Sequence, residues 1–220
     1  MRLLRVLVVA TSFAALLAHP SAAQEGRPFH DAWFWGVKGG VIDWSSDETD
    51  NAGAPMVGID WMITRPRGGL YVSVDNSFIK TFSYLKTDNT GTDFVSLTGL
   101  QRVTLAVVAY PMQTPTMHPY IGLGASLHRV GSANLTTDII LPALRTAAAD
   151  TIQKRRVTIA PMFMVGVQQR LPGFSVFAQG TGSFVQNGFF IRYDYPKRGL
   201  EWTAEAGIRY NVGSSIDHVR

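Results

Sequence analysis

The sequence predicts an all-β fold, an eight-stranded antiparallel up-and-down transmembrane β-barrel. Three observations lead to this prediction. Apolar and polar or small residues alternate along eight separate segments, as they do in strands that have one apolar and one polar face. Long and short connections alternate between those segments, and bulky aromatic residues stand near the segment ends, which is typical of barrels that cross a membrane.

An export signal precedes the predicted barrel. Arg2 and Arg5 open the chain, an apolar stretch of 13 residues follows, and residues 21–23 supply a small-x-small cleavage pattern. We therefore expect residues 1–23 to be a cleaved secretory signal peptide and residues 24–220 to form the barrel. Thirteen apolar residues are too few to cross a hydrocarbon core of about 30 Å.

Composition excludes several classes of protein. Hydrophobic residues make up 46% of the chain, charged residues 16%, and there is no cysteine, which argues against a disordered chain and excludes a disulfide scaffold or a cysteine metal site. Removing Arg2 and Arg5 from the 20 basic residues leaves 18 against 16 acidic residues, a net charge of +2. So small a charge gives no basis for nucleic-acid binding.

Strands are predicted in the first half of the chain at residues 33–43, 54–64, 70–77 and 94–109. Their apolar faces are Trp33, Trp35, Val37, Gly39 and Val41; Val57, Ile59, Trp61 and Ile63; Leu70, Val72 and Val74; and Val103, Leu105 and Val107. Their opposite faces carry Gly36, Lys38 and Gly40; Gly58, Asp60 and Thr64; Tyr71, Ser73 and Asp75; and Arg102, Thr104 and Ala106.

The second half of the chain repeats the pattern at residues 119–128, 157–169, 174–184 and 201–212. The apolar faces are Ile121, Leu123, Ala125 and Leu127; Phe163, Val165 and Val167; and, in the last strand, Trp202, Ala204, Ala206, Ile208, Tyr210 and Val212. The segment at 174–184 is the least regular, because Phe177 stands among Ser175, Gln179 and Thr181.

The connections carry independent information. Four are long, at residues 44–53, 78–93, 129–156 and 185–200, and the three between them, at 65–69, 110–118 and 170–173, are tighter and hold proline and glycine turn formers. An up-and-down barrel places all long loops at one end and all short turns at the other. A soluble β-sandwich has no reason to alternate so regularly.

Charged residues within the central parts of the strands all fall on the face opposite the apolar one. Facing lipid at the midplane would cost an arginine or lysine about 2–4 kcal/mol. Three of these residues are positive and three negative, so they can neutralise one another inside the barrel. We predict an interior charge network formed by Lys38, Asp60, Asp75, Arg102, Glu205 and Arg209.

Aromatic residues on the apolar faces stand near strand ends. An amphipathic ring suits the boundary between lipid and water. We predict an aromatic girdle formed by Trp33, Trp35, Trp61, Trp202 and Tyr210.

Three segments carry a family resemblance: Pro119 to Ser126, Ala160 to Val167 and Glu205 to Val212. With the signal peptide and eight alternating strands, they resemble the small outer-membrane β-barrel family of OmpA/OmpX type. The resemblance implies location in the outer membrane of a Gram-negative-type bacterium, contact with the lipid bilayer and lipopolysaccharide, and passage through periplasmic chaperones and the barrel-assembly machinery. Members commonly end in an aromatic residue, whereas this chain continues through residues 213–220.

Catalytic and metal-binding patterns are sparse. His128 is the one histidine placed like a catalytic base, with Ser126 on the same face. Same-face neighbours lie about 6–7 Å apart along a strand, so we expect no direct hydrogen bond, no catalytic residues and no enzyme. The acidic cluster Asp47, Glu48 and Asp50 lacks the pattern of a calcium loop, and the basic run at 153–156 reads as solvated surface. We therefore expect no metal and no cofactor.

Function is expected to reside in the loops. We predict a structural, adhesion or partner-binding role without an efficient pore, because side chains fill an eight-stranded lumen. Residues 78–93 are predicted to form a protruding hairpin that offers a site for an extracellular partner, and residues 144–154 a short helix. Two alternatives remain: an outer-membrane lipid-modifying enzyme of acyltransferase or deacylase type, and a soluble periplasmic lipocalin-like carrier.

Overall fold

The computed structural model describes residues 29, 31–45, 53–85, 93–112, 114–135, 157–171, 174–185 and 199–214. The predicted signal peptide, the acidic cluster at 47–50, the helix at 144–154, the basic run at 153–156 and the tail beyond residue 214 lie outside these residues. Within the described part of the chain, no helix is long and apolar enough to span a membrane.

Eight strands close into a single antiparallel barrel. They are β1 (Ala32–Ser45), β2 (Ala54–Thr64), β3 (Gly68–Leu85), β4 (Asp93–Ala109), β5 (Met117–Leu135), β6 (Val157–Leu171), β7 (Phe174–Val185) and β8 (Gly199–Ser214). Each strand pairs with the next, and β8 pairs with β1 to complete the ring. The predicted all-β, eight-stranded, antiparallel up-and-down fold is confirmed.

The two ends of the barrel differ. Short turns connect β2 to β3, β4 to β5 and β6 to β7 at one end, which we call the turn end, and β1 begins there at Ala32. The connections at 46–53, 86–92, 136–156 and 186–198 follow β1, β3, β5 and β7 at the other end, the loop end; three of them are longer than any turn-end connection, and 86–92 is as long as 110–116. This is the arrangement that the alternating connection lengths predict.

Two predicted strand ends were wrong. β3 continues to Leu85 instead of ending at residue 77, and β5 continues to Leu135 instead of 128. The pairing of β3 with β4 shifts register between Ser77 and Lys80, opposite the stretch that contains Gly99, whose φ is +73°. Such a bulge inserts an extra residue and breaks the two-residue period, so alternation cannot follow the strand past it.

β3, β4 and β5 extend together past their neighbours at the loop end. β4 pairs with β3 as far as Leu85 opposite Asp93, and with β5 as far as Leu135 opposite Val95. The adjacent strands stop earlier, since β2 begins at Ala54 and β6 at Val157. The pairing therefore covers both arms of the predicted 78–93 hairpin, whose turn at 86–92 lies outside the described residues, and it adds β5 beside them.

Side chains alternate between the lumen and the outer surface. Along β1, Phe34, Lys38 and Ile42 are buried, whereas Trp35 and Val37 between them are exposed. The exposed members are apolar on all eight strands, except near the loop end of β3, β4 and β5, where Asn76, Gln101 and Arg129 are exposed, and most charged residues of the described strands are buried. The barrel is therefore apolar outside and mixed or polar inside, the reverse of a soluble protein.

Glycines make room for the buried carboxylates. A Cβ on Gly58 of β2 would collide with the Asp75 carboxylate and would lie 2.8 Å from the Val74 carbonyl oxygen. A Cβ on Gly36 of β1 would likewise collide with the Asp60 carboxylate. Small residues at these two positions let an aspartate on the neighbouring strand lie across the sheet, into the lumen.

Gly58→Ala should therefore destabilise the barrel, by about 1–3 kcal/mol as for other overpacked interiors. The control is Gly39→Ala, because a Cβ on that outward glycine has its nearest neighbour, the Met56 carbonyl oxygen, at 3.7 Å. The measurement is the free energy of unfolding in urea of protein folded into lipid vesicles. Equal losses in the two variants would contradict this account.

Candidate functional site

The six residues predicted to form the interior network all lie buried in the lumen. Four of them, Lys38, Asp75, Arg102 and Glu205, meet in one cluster, and the other two, Asp60 and Arg209, form a separate pair nearer the turn end. All six side chains lie on the inward face of their strands, as the alternation of the sequence predicts. Each reaches its partner across the lumen or from a neighbouring strand.

The central cluster alternates positive and negative groups. Lys38 Nζ lies 2.8 Å from Asp75 Oδ1 and 2.6 Å from Glu205 Oε2. Arg102 Nη2 lies 3.0 Å from Asp75 Oδ2 and also contacts Glu205 Oε1. Each carboxylate thus receives both cations, which offsets the large cost of removing charges from water.

Neutral groups complete this cluster. Lys38 Nζ donates to the Tyr71 hydroxyl at 2.9 Å and to Ser73 Oγ at 3.2 Å. Glu205 accepts from Thr203 Oγ1 at 2.7 Å. Because buried charges need hydrogen bonds as well as counter-charges, these hydroxyl groups are part of the same unit.

Asp60 and Arg209 form a two-pronged ion pair. Arg209 Nη2 lies 2.7 Å from Asp60 Oδ2, and Nε lies 3.2 Å from Asp60 Oδ1. The guanidinium carbon stands 3.6 Å from the centre of the Phe177 ring, which is cation–π geometry. Phe177 is therefore buried on the polar side of β7 for a reason: it covers the face of Arg209, and this explains why β7 alternates least regularly.

Gln179 links the two ionic groups. Its amide nitrogen donates to Glu205 Oε2 at 2.8 Å and to the Tyr71 hydroxyl at 2.9 Å. Its amide oxygen accepts from Arg209 Nη2 at 3.3 Å and from the Tyr120 hydroxyl at 2.7 Å. The lumen thus holds one continuous polar network from the central cluster to the Asp60–Arg209 pair.

A third group was missed by the sequence analysis. Ser126 Oγ lies 2.7 Å from His128 Nε2, and His128 Nδ1 lies 3.0 Å from Glu201 Oε2. Arg102 Nη1 lies 3.6 Å from Glu201 Oε1 and connects this group to the central cluster. All three side chains are buried.

The expectation that Ser126 and His128 are too far apart to bond directly was wrong. Their backbone spacing is that of any same-face pair, but side chains lean along a strand, and the imidazole closes the remaining gap. Glu201 could have been found from its phase, because it occupies the same face of β8 as Thr203 and Glu205.

The five predicted girdle residues all lie on the outer surface, but at two levels. Trp33, Trp35, Trp61 and Tyr210 gather at the turn end on β1, β2 and β8, with ring centroids 5.5 Å apart for Trp33 and Trp61 and 5.9 Å for Trp35 and Trp61. Trp202 lies at the loop end, in the same cross-strand row as Gly182 and Phe163. The structure therefore separates two belts.

Aromatic side chains close the lumen at the turn end. Phe29, which precedes β1, stacks on His118 with ring centroids 3.6 Å apart, and it packs edge-on against Tyr110. Thr64 Oγ1 donates to the Phe29 carbonyl oxygen and accepts from the Ala32 amide. Burial raises the pKa of the Tyr110 hydroxyl, which donates to Met62 Sδ at 3.1 Å.

No group of three or more His, Cys, Asp or Glu side chains in the described ranges is arranged to hold a metal ion. The Asp47, Glu48 and Asp50 cluster falls outside those ranges.

The Asp60–Arg209 pair generates a thermodynamic prediction. Arg209→Met leaves a buried carboxylate without its cation and should cost about 3–5 kcal/mol of unfolding free energy. The double variant Asp60→Asn, Arg209→Met removes both charges and should recover part of that loss. Urea unfolding in lipid vesicles measures these two variants and the single variant Asp60→Asn. A double variant that loses the sum of the two single-variant costs would show that the pair is not coupled.

Comparison with known proteins identifies the architecture. No protein-family model and no curated protein matches the sequence. Among solved structures, Neisserial surface protein A is similar, with a TM-score of 0.54 and 14% sequence identity over 81% of this chain and 96% of that one.

Two further outer-membrane proteins align more loosely. OprG of Pseudomonas aeruginosa has a TM-score of 0.46 and 13% identity over 84% of this chain and 98% of its own. Ail, the attachment invasion locus protein of Yersinia pestis, has a TM-score of 0.46 and 12% identity over 83% and 100%. The closed eight-stranded ring and the likeness to the Neisserial protein show that this chain has the fold of the small outer-membrane β-barrels.

Proposed function

We propose that this chain is an integral outer-membrane protein whose barrel crosses the bilayer and whose loop end carries a structural, adhesive or partner-binding role at the cell surface. The observation that carries the proposal is the division of side chains between the two sides of the barrel wall. The outer side is apolar around the ring as far as a polar row near the loop end of β3, β4 and β5, and most charged residues of the described strands face the lumen.

The outer surface exposes far more apolar side chain than the surface of a soluble protein does. Leu123 is 73% exposed, Ile159 68% and Val107 67%, and these residues belong to a continuous exposed set on neighbouring strands. Exposed apolar patches larger than a few hundred Å² mark contact with another apolar phase. A surface of this kind that encircles a barrel fits the hydrocarbon core of a bilayer.

The two aromatic belts are separated by the distance that a bilayer requires. Tyr210 in the turn-end belt and Trp202 at the loop end are eight residues apart on β8. At about 3.4 Å per residue and a strand tilt of about 40°, this corresponds to about 20 Å along the barrel axis. Outer-membrane barrels have an apolar band about 25 Å tall between such belts.

Polar residues mark where the apolar surface ends on one side of the barrel. Asn76, Gln101 and Arg129 all face outward and pair directly with one another across β3, β4 and β5. The β3–β5 extension begins immediately beyond this row. We infer that the row contacts lipopolysaccharide head groups and that the extension stands above them, available to an extracellular partner at the 78–93 hairpin.

The lumen argues against the soluble lipocalin-like alternative. A carrier of that type would line its interior with apolar side chains and expose polar ones. Here the interior holds Lys38, Arg102 and Arg209 with their carboxylates, and the polar network crosses the lumen.

A protein exported to this location also requires periplasmic chaperones and the barrel-assembly machinery, which we propose as its transient partners.

A lipid-facing charge provides the direct test. Leu105→Arg places a cation on the outer surface of β4, midway between Gln101 and Ala109, and should reduce the free energy of unfolding in vesicles by about 2–4 kcal/mol. Ala109→Arg, at the turn end of the same face, should cost only about 0–1 kcal/mol. Wild-type protein should appear in the detergent-extracted membrane fraction with heat-modifiable gel mobility. Recovery of folded protein from the aqueous fraction would overturn the proposal.

The filled lumen generates a separate expectation. The aromatic side chains at the turn end and the central ion pairs occupy the lumen between the described strands, so we expect vesicles that contain the protein to release small solutes no faster than protein-free vesicles. Entrapped glucose and a fluorescent dye are suitable reporters. Rapid release of either would show that the lumen is open.

A further inference from the structure

Ser126, His128 and Glu201 stand in line inside the loop-end half of the barrel. Ser126 Oγ is 2.7 Å from His128 Nε2, and the opposite ring nitrogen, Nδ1, is 3.0 Å from Glu201 Oε2. A hydroxyl and a carboxylate thus contact the two nitrogens of one imidazole. In this order the imidazole can take the hydroxyl proton while the carboxylate stabilises the resulting positive charge.

Neighbouring groups hold this line in place. Arg102 Nη1 lies 3.6 Å from Glu201 Oε1, so the guanidinium holds the Glu201 side chain beside His128. Ser183 Oγ lies 3.1 Å from Ser126 Oγ, so a second hydroxyl is within reach of any oxygen that develops charge beside Ser126. The five residues come from four strands, β4, β5, β7 and β8, which a closed barrel fixes relative to one another.

The surroundings indicate where a substrate would enter and of what kind. His128 pairs with Thr158, which is the second residue of β6, so the line is close to the loop-end rim. One inward position closer to that rim, Leu100 and Val130 are paired and buried. These two side chains are the inward neighbours of Arg102 and His128 on the rim side. A ligand that reaches Ser126 from this end would first displace these apolar side chains, which favours a small apolar acyl group.

We propose that Ser126, His128 and Glu201 form an esterase site that accepts short-chain acyl esters from the loop end of the barrel. Ser126 is the nucleophile, His128 is the general base and acid, and Glu201 is a positioning residue. The proposal concerns the lumen and does not depend on the adhesive or structural role of the loops.

The reaction balances with water as the only co-reactant. Ser126 Oγ attacks the ester carbonyl carbon, its proton passes to His128 Nε2, and the carbonyl π electrons move onto oxygen. The intermediate collapses, the C–O bond to the alcohol breaks, and the alcohol leaves with the proton from His128. Water then attacks the acyl-Ser126 ester, His128 takes and returns its proton, and the carboxylic acid leaves.

An alkyl fluorophosphonate, which reacts covalently with activated serines, tests the proposal in detergent-folded protein. Peptide mass spectrometry should find the phosphonyl group on Ser126 and on no other serine of the wild-type chain. Ser126→Ala should abolish labelling, and His128→Asn should slow it by about 10²–10⁴-fold, as loss of a general base does. Ser175→Ala, a buried serine near the turn end, should label as the wild type does.

Three further variants separate a reactive site from a merely structural polar cluster. Val130→Ala shortens one of the two rim-side apolar side chains and should accelerate labelling of Ser126 and hydrolysis of p-nitrophenyl butyrate. Glu201→Gln should slow both, and Glu201→Asp, which keeps the carboxylate, should restore them in part. A structural role alone would alter only unfolding in these variants.

Labelling experiments on folded variants can also overturn the proposal. Heat-modifiable mobility identifies the variants that fold, and only these are compared. If the folded wild type and folded Val130→Ala both remain unlabelled, the proposal is wrong. It is also wrong if labelling survives in Ser126→Ala or proceeds unchanged in folded His128→Asn. Should His128→Asn not fold, the labelled position in the wild type and the Glu201 variants decide.

Discussion

A charge inside a narrow barrel must meet its counter-charge there, and this constraint governs the rest of the structure. Lys38, Asp75, Arg102 and Glu205 come from β1, β3, β4 and β8, and their contacts need those four strands at one height. A slip of one residue in any of these strands would turn its charge outward into the apolar surface. The ion pairs therefore specify the register of the barrel as well as filling its centre.

This register also determines the sizes of the side chains on the inner and outer sides of the barrel wall. Where a carboxylate lies across a neighbouring strand, that strand carries a glycine, as Gly36 does beside Asp60 and Gly58 beside Asp75. The bulky side chains are then left for the outer side, where Trp35 and Trp61 stack on one another. The lumen is narrow and the outer surface is not, so small residues lie inside and large ones outside. Because successive side chains of a strand point to opposite sides, small and large residues alternate along it just as polar and apolar ones do.

Sequence alone predicted the parts of this design that depend on local periodicity. The phase of alternation was sufficient to place Glu205 and Arg209 inside and Trp202 and Tyr210 outside. It failed where the period is broken, at the Ser77–Lys80 bulge, and where a side chain's reach decides, as between Ser126 and His128. It also gave no sign that Phe29 would stack on His118, because contacts between distant segments leave no trace in either segment's own pattern.

The position of β8 at the end of the chain has a consequence for the order of assembly. This strand brings Glu201, Glu205 and Arg209, and so supplies a counter-charge to Arg102, to Lys38 and to Asp60 at once. A partly built barrel of seven strands would leave Asp60 with no cation and both remaining cations sharing Asp75 alone. Most ion pairs of the described interior can therefore form only when β8 has joined the sheet and the ring has closed.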